Sequence, residues 1–441
     1  MIVEITPQNI SQIKNPRFAS YASIYLKIAD QFRQRVRATG VEFESDDDRV
    51  EAQARIAQLR NKGAFVRNDD KSIYVNHVSP SCAACQTGLG SATYFISLKC
   101  HRDCFFCFNP NQENYEQFLT QKRNCVQELE QIYQRGERLE HIALTGGEPL
   151  LHRAEVIEFF QYANEKFPRA YKRLYTSGDQ IDVEILTALQ SARLDEIRFS
   201  IRLHDSEPAR RHTYDRIALA KQYIPNVLVE MPVLPGTLTE MQQVLLRLDE
   251  LGVFGINLLE FCFPLNNAEV YRAKGYRVKY HPYRVLYNYG YAGGLPIAKS
   301  ELECLDLIEF ALERRLKLGV HYCSLENKHT GELYQQHFER KIAPRLYFSP
   351  RDYFLKSAKV FGKDIHKVLP VFEKIHYRDY ERNRDYYFLE FHVNQIAALK
   401  DQDIEIGVSS SVMETRSEGD VLRELKIDLT TPQQFDLTTD V

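Results

Sequence analysis

Three cysteines, Cys100, Cys104 and Cys107, stand in the run Ser97-Leu-Lys-Cys100-His-Arg-Asp-Cys104-Phe-Phe-Cys107. Thiolates bind soft metal centres, and three on one short loop fall one short of the four-cysteine shell usual for an iron-sulfur cluster. A cubane held here would keep one iron without a protein ligand, and an open iron is a place for chemistry. A zinc site or three unrelated thiols are the alternatives. Zinc favours paired C-x2-C knuckles and a closed four-ligand shell, whereas these cysteines follow a single apolar strand-like run, Thr93 to Leu98.

One strand-helix unit further on lies Ala143-Leu-Thr-Gly146-Gly147-Glu148-Pro149-Leu-Leu151, an apolar strand ending in two glycines and an acid. Glycines let a ligand approach the backbone closely, and a carboxylate beside them can accept hydrogen bonds from an ammonium group.

The C-x3-C-x2-C spacing, with aromatic Phe106 before the last cysteine, and the Gly-Gly-Glu-Pro segment together resemble the signature of the radical SAM superfamily over roughly Tyr94 to Phe261. The resemblance implies a [4Fe-4S] cluster on Cys100, Cys104 and Cys107, whose open iron chelates S-adenosylmethionine (SAM). It also implies reductive cleavage of SAM to a 5'-deoxyadenosyl radical, fed by an electron donor such as flavodoxin or ferredoxin. Gly146, Gly147 and Glu148 are then assigned to the methionine amino group of SAM. Tyr175-Thr-Ser177-Gly-Asp179 resembles the family's Thr-Thr-Asn-Gly turn, with Ser177 as a SAM ligand. Ser200 and Arg202, placed on one face of a strand by their two-residue spacing, would reach the ribose and carboxylate of SAM.

A second pair, Cys82 and Cys85, lies outside the part shared with that superfamily. Two cysteines at this spacing form a bidentate knuckle that needs two more ligands to close a second metal site or auxiliary cluster. Cys262 and Cys323, each expected at a strand end facing the mouth of the fold, are the candidate partners. An inert pair of buried thiols and a redox-active dithiol are the alternatives. Cys125 and Cys304 fall on helix-like segments and read as buried thiols. Glu230 and Glu260 sit late in strands, where each would serve the active site or pair with a basic neighbour.

Strand-like runs at Thr93–Leu98, His141–Thr145, Lys172–Thr176, Glu196–Ile201, Asn226–Pro232, Gly255–Phe261 and Gly319–Cys323 alternate with helix-like stretches. The latter are Glu113–Gln134, Ala154–Lys166, Val183–Ser191, Pro208–Gln222, Leu238–Leu251 and Glu301–Lys317. Such alternation predicts parallel strands with right-handed crossovers and function at their carboxyl ends. The expected fold is α/β: a (β/α) partial barrel of radical SAM type over 91–323. An α-helical N-terminal extension over 1–90 would carry Cys82 and Cys85, and an α+β extension would fill 324–441. The pattern breaks over 263–300, where Tyr271, Arg272, Lys274, Tyr276, Arg277, Lys279, Tyr280, His281, Tyr283, Arg284, Tyr287, Tyr289 and Tyr291 crowd together. A loop this long inside a compact domain is usually functional or disordered; it reads as a substrate cover that plays no part in holding the cluster, with a solvated surface loop as the alternative. The segment after Thr430 reads as a mobile tail.

A chain of 441 residues with a net charge of -3 gives no bulk pull toward nucleic acid or membrane. No apolar stretch approaches the ~20 residues that span a bilayer. The start, Met-Ile-Val-Glu-Ile-Thr, lacks the pattern of a signal peptide. Nine cysteines in an odd grouping suit metal ligands in a reducing, cytoplasmic compartment. The function expected is a radical SAM enzyme that abstracts hydrogen from a peptide or protein side chain or from a small metabolite. A radical SAM enzyme modifying RNA, using the basic run Arg272 to Arg284, and a non-catalytic iron-sulfur or metal-binding partner protein are the alternatives. No cysteine follows Cys323, so the cysteine-rich C-terminal extension of many peptide-modifying relatives is missing.

Overall fold

The computed structural model describes residues 1–285 and 294–441. Tyr287, Tyr289 and Tyr291 lie outside the described residues.

The run Asn226-Val-Leu-Val-Glu-Met-Pro-Val233 shows how the core is built. Val227, Val229, Met231 and Val233 alternate along it and are all buried in one hydrophobic core, whereas Glu230 points the other way. The same alternation puts Ile142 and Leu144, Ile197 and Phe199, Ile256 and Leu258, and Val320 and Tyr322 into that core. There they meet helical residues such as Phe159, Phe160, Leu189, Leu245 and Ile308. Helices therefore pack on the apolar face of the sheet, and its other face carries polar side chains.

The strands are β1 (Phe65–Arg67), β2 (Ser72–Val75), β3 (Ser91–Phe95), β4 (His141–Thr145), β5 (Tyr171–Thr176), β6 (Glu196–Phe199), β7 (Asn226–Val233), β8 (Gly255–Glu260), β9 (Cys262–Phe263), β10 (Leu295–Pro296) and β11 (Gly319–Cys323). Nine of them form one sheet in the order β1-β2-β11-β8-β7-β6-β5-β4-β3. Strands β3 to β8 and β11 run parallel, and β2 pairs antiparallel with β11. The sheet is not closed into a barrel, in keeping with the partial barrel expected. A helix follows each of β4 to β7 on the way to the next strand. The helix expected over 113–134 is broken into Tyr115–Thr120 and Cys125–Gln134. Between them Arg123 donates to the Ile96 carbonyl, and Asn124 caps the second piece through the Gln127 N–H.

The chain groups into two units, and their boundaries differ from those read in the sequence. One is formed mainly by Met1–Ala38 and Glu332–Val441; the other begins at Thr39, contains the sheet and reaches Gly331. The expected N-terminal extension is thus divided. Helix Pro16–Ala38 buries Phe18 and Tyr21 against Phe361 and Phe388 of the first unit, while helix Arg49–Asn61 gives Ile56 and Leu59 to the core of the second. The first unit has its own antiparallel sheet, from β12 (Tyr347–Phe348), β13 (Leu355–Phe361), β14 (Glu381–Asn383), β15 (Phe388–Phe391), β16 (Ile406–Arg416) and β17 (Gly419–Thr430). The tail expected to be mobile is folded: Val441 is buried with that unit's core, and Asp440 accepts from Ile2 N at 3.2 Å and pairs with the Met1 ammonium at 3.1 Å. No helix among the described residues is long and apolar enough to cross a membrane.

Candidate active site

The cysteine loop leaves the carboxyl end of β3 and is fastened on both sides to the two glycines that end β4. On the entering side, Gly147 N donates to the Ser97 carbonyl at 3.1 Å and Glu148 N to the Lys99 carbonyl at 2.9 Å. On the leaving side, Asn109 Nδ2 donates to the Gly146 carbonyl at 2.8 Å. A Cβ on residue 147 would lie 2.0 Å from the Lys99 carbonyl oxygen, and one on residue 146 would lie 2.7 Å from that of Ser97, where φ is already +117°. Only glycine lets the strand end come this close to the residue preceding Cys100.

The three thiols lie within electrostatic reach of one another, and Cys100 and Cys104 within that of Arg202. Burial pushes the Cys104 thiol up to about 11, with the Arg202 guanidinium acting in the opposite direction. Arg202 is buried, its Nε donates to Asp205 Oδ2 at 3.1 Å, and its Nη2 has no partner. A buried guanidinium nitrogen without an acceptor is costly unless an anion fills the space. Among the described residues no three His, Cys, Asp or Glu side chains converge on the position of a single metal ion. A cubane does not require that, since each thiolate takes a different iron. Three thiols in reach of one another, a glycine-lined approach and a guanidinium with one free nitrogen fit a cluster with a bound SAM carboxylate.

The other residues expected here are placed as follows. Glu148 is 2% exposed. Its carboxylate accepts from Thr176 Oγ1 at 2.9 Å, Ser177 N at 2.6 Å and Leu150 N at 3.1 Å, so it ties the end of β4 to the end of β5. Ser177 Oγ donates to Asp179 at 2.8 Å, and Asp179 also receives His101 Nε2 at 2.6 Å and Arg102 Nε at 2.7 Å. Burial works against the Asp179 charge, but these donors hold its carboxyl well below the usual carboxylate range. The turn after β5 and the cysteine loop are thereby clamped together. Ser200 and Arg202 do not share a strand face, because β6 stops at Phe199. Ser200 is exposed past its end, and the chain then turns Arg202 inward.

The described part of the insert braces the cluster loop, so its expected independence is not what the structure shows. The Phe105 ring lies 5.6 Å from Tyr271 and 6.1 Å from Phe261, and Tyr271 stacks on Phe261 at 5.5 Å. Asn267 Nδ2 donates to the Phe105 carbonyl at 3.0 Å, and Asn111 Nδ2 to that of Pro264 at 2.6 Å. Tyr271 is fully buried, and Lys279 is buried in ion pairs with Glu260 and Glu301. Burial pushes the Glu260 carboxyl up to about 7, partly offset by Lys279. Glu230 lies on the polar face, paired with Arg198 at 2.6 Å.

The second group of thiols is partly assembled. Cys323 lies within electrostatic reach of Cys85 and Cys82, whereas Cys262 has Lys328 and Glu260 as its charged neighbours and stands apart. Cys82 Sγ accepts from Arg198 Nη2 at 3.2 Å, and Cys323 Sγ from Asn327 Nδ2 at 3.3 Å. Cys125 and Cys304 are buried, as expected. Sequence reasoning missed Asn109, Asn257, His321 and Lys328. For Asn109 the available signal was an amide two residues beyond the last cysteine.

Residues 94–248 match the family model described as the radical SAM superfamily. Residues 94–248 thus form a domain of radical SAM type. A Methanocaldococcus jannaschii protein, provisionally named a glycyl-radical enzyme activating enzyme, is 27% identical over 196 residues, which cover 41% of this chain. The chain spans about half (50%) of the length of that curated relative. Among solved structures, SuiB of Streptococcus suis bound to its precursor peptide SuiA aligns over 76% of this chain and 68% of its own, at 12% identity and a TM-score of 0.39. Coproporphyrinogen III oxidase of Escherichia coli aligns over 54% of this chain and 57% of its own, at 15% identity and a TM-score of 0.36.

Proposed function

We propose that the chain binds a [4Fe-4S] cluster through Cys100, Cys104 and Cys107, cleaves SAM, and abstracts hydrogen from a peptide or protein side chain or a small metabolite. Together, cluster and SAM supply a 5'-deoxyadenosyl radical when bound and reduced. The observation that carries this reading is the fastening of the three-cysteine loop to Gly146 and Gly147 beside the unpaired Nη2 of Arg202.

In this reading Arg202 receives the SAM carboxylate by a charge-assisted hydrogen bond. Gly146 and Gly147 give the methionine end close access to backbone, while Asn109 orients the Gly146 carbonyl. Glu148 and Ser177 keep the ends of β4 and β5 in register through the hydrogen bonds above. The His101 and Arg102 contacts to Asp179 hold the loop against that frame, and the Phe105 to Tyr271 ring cluster supports it from beneath. The name of the curated relative supports a protein as substrate.

The test is anaerobic reconstitution with iron and sulfide, followed by reduction in the presence of SAM. 5'-Deoxyadenosine should form, and Cys100→Ala/Cys104→Ala/Cys107→Ala should abolish it. Undiminished cleavage by the triple variant would overturn the assignment.

A further inference from the structure

Resting on the reading of the site as a radical SAM centre, we infer that the polar face of the sheet takes a substrate bearing a carboxylate, held by Lys328, with an N–H group further in that donates to Asn257. The substrate class is thereby narrowed to amino-acid or peptide-like acids.

Asn257, on β8, is in register with Glu230 on β7 and with His321 on β11, so three polar side chains lie level on neighbouring strands of one face. Glu230 is occupied: its Oε2 accepts from Arg198 Nη1 at 2.6 Å and from Asn257 Nδ2 at 2.7 Å. That fixes the Asn257 amide with its Oδ1 turned away from Glu230, and this buried oxygen has no partner. His321 is 3% exposed; its Nε2 meets Ser72 Oγ at 2.8 Å, and its Nδ1 has no partner. Burial pushes His321 down to about 3, so the ring is neutral at ordinary pH. Two unpaired polar atoms on adjacent strands of one sheet face mark a place for a polar ligand group, because leaving them bare costs the full desolvation of each.

Lys328 lies in the helix Leu325–His337 that follows β11. It is half-buried and makes no hydrogen bond or ion pair among the described residues. Its Nζ lies 5.9 Å from the centre of the Phe108 ring, one residue past Cys107. Its charge also reaches Glu230, Cys262 and Cys323. An ammonium beside the cluster loop and in reach of Glu230 thus lacks an anion of its own, which a substrate carboxylate would supply. Arg202, within reach of Cys100 and Cys104, is left for SAM.

Binding to the reconstituted, SAM-loaded full chain would be measured with two acid and amide pairs. Glycyl-glycine against glycyl-glycinamide represents a small-molecule source, and N-acetyl-Ala-Asp-Ala-amide against its Asn counterpart represents a peptide source. At least one acid should bind tenfold or more tightly than its amide, and the pair that does so names the source. Lys328→Met should remove the preference and Lys328→Arg should restore it, while SAM cleavage and the melting temperature stay unchanged. Equal binding of acid and amide by the native chain, or a preference that survives Lys328→Met, would overturn the inference without touching the cluster assignment. Weakened SAM binding in Lys328→Met would also overturn it, by placing the lysine in the SAM site. Absence of SAM cleavage by the native chain would instead count against the proposed function.

Discussion

The two groups of cysteines in the sheet unit differ in what already surrounds their sulfur atoms. Cys100, Cys104 and Cys107 are at least partly exposed, with Cys100 exposed and the other two half-buried, on a loop without regular secondary structure. The hydrogen bonds of that loop serve mainly to position it: Ser97, Lys99, Phe105, Asn109 and Asp179 anchor the backbone and flanking side chains, and the sulfurs meet backbone donors, as where Arg102 N donates to Cys100 Sγ at 3.4 Å. Cys82 and Cys323 are buried, and each sulfur is met by a side-chain donor, Arg198 and Asn327. The loop's sulfurs are thus met by backbone N–H groups of the loop itself, whereas Cys82 and Cys323 take their bonds from side chains in a polar interior. By this contrast Cys82 and Cys323 are thiols of the polar interior, Cys85 lies within electrostatic reach of Cys323, and Cys262 stands apart from them.

The sharpest way to break the contrast is to disturb how the loop is positioned while leaving its sulfurs intact. Gly147→Ala puts a Cβ against the Lys99 carbonyl, which is backbone and cannot swing aside. Overpacking of this kind costs about 1–3 kcal/mol, and a displacement of ~1 Å at a reacting centre costs on the order of 100-fold in rate. SAM cleavage should fall by about that factor in Gly147→Ala even though all three ligands remain. Near-native cleavage would show that the close approach is incidental.

A smaller effect is expected from Arg202, whose Nη2 has no partner. Arg202→Met should raise the SAM concentration needed for half-maximal cleavage by about tenfold or more, since hydrogen bonds to charged groups contribute about 1.5–3 kcal/mol. Iron content should not change. A loss of iron with unchanged SAM affinity would make Arg202 a support for the loop rather than a SAM contact.

The parts legible in the sequence were those that local pattern determines. Alternating apolar residues gave strands such as His141–Thr145 and Gly319–Cys323 at their observed bounds, and the cysteine spacing with Gly146-Gly147-Glu148 led to the superfamily. What was hidden depended on contacts distant in the chain. The role of Glu148 follows from Thr176 and Ser177, which reach it only when β4 and β5 lie side by side. Ser200 was misplaced because β6 ends at Phe199, two residues earlier than its apolar run suggests. The rings of the insert look like a solvent-facing cover in sequence, yet Tyr271 is buried because Phe105, 166 positions earlier by numbering, packs on it. Lys328 carried no signal at all: in a charged segment, a lysine without a partner is visible only once its neighbours are in place.

In the proposed function the iron is held by Cys100, Cys104 and Cys107. The most direct test is iron content after anaerobic reconstitution of three proteins: the native chain, Cys100→Ala/Cys104→Ala/Cys107→Ala, and Cys82→Ser/Cys85→Ser/Cys323→Ser. The expected result is about four irons per native chain, none in the loop variant, and the native amount in the second variant with its fold intact by circular dichroism. Iron retained by the loop variant, or lost from a folded second variant, would contradict it.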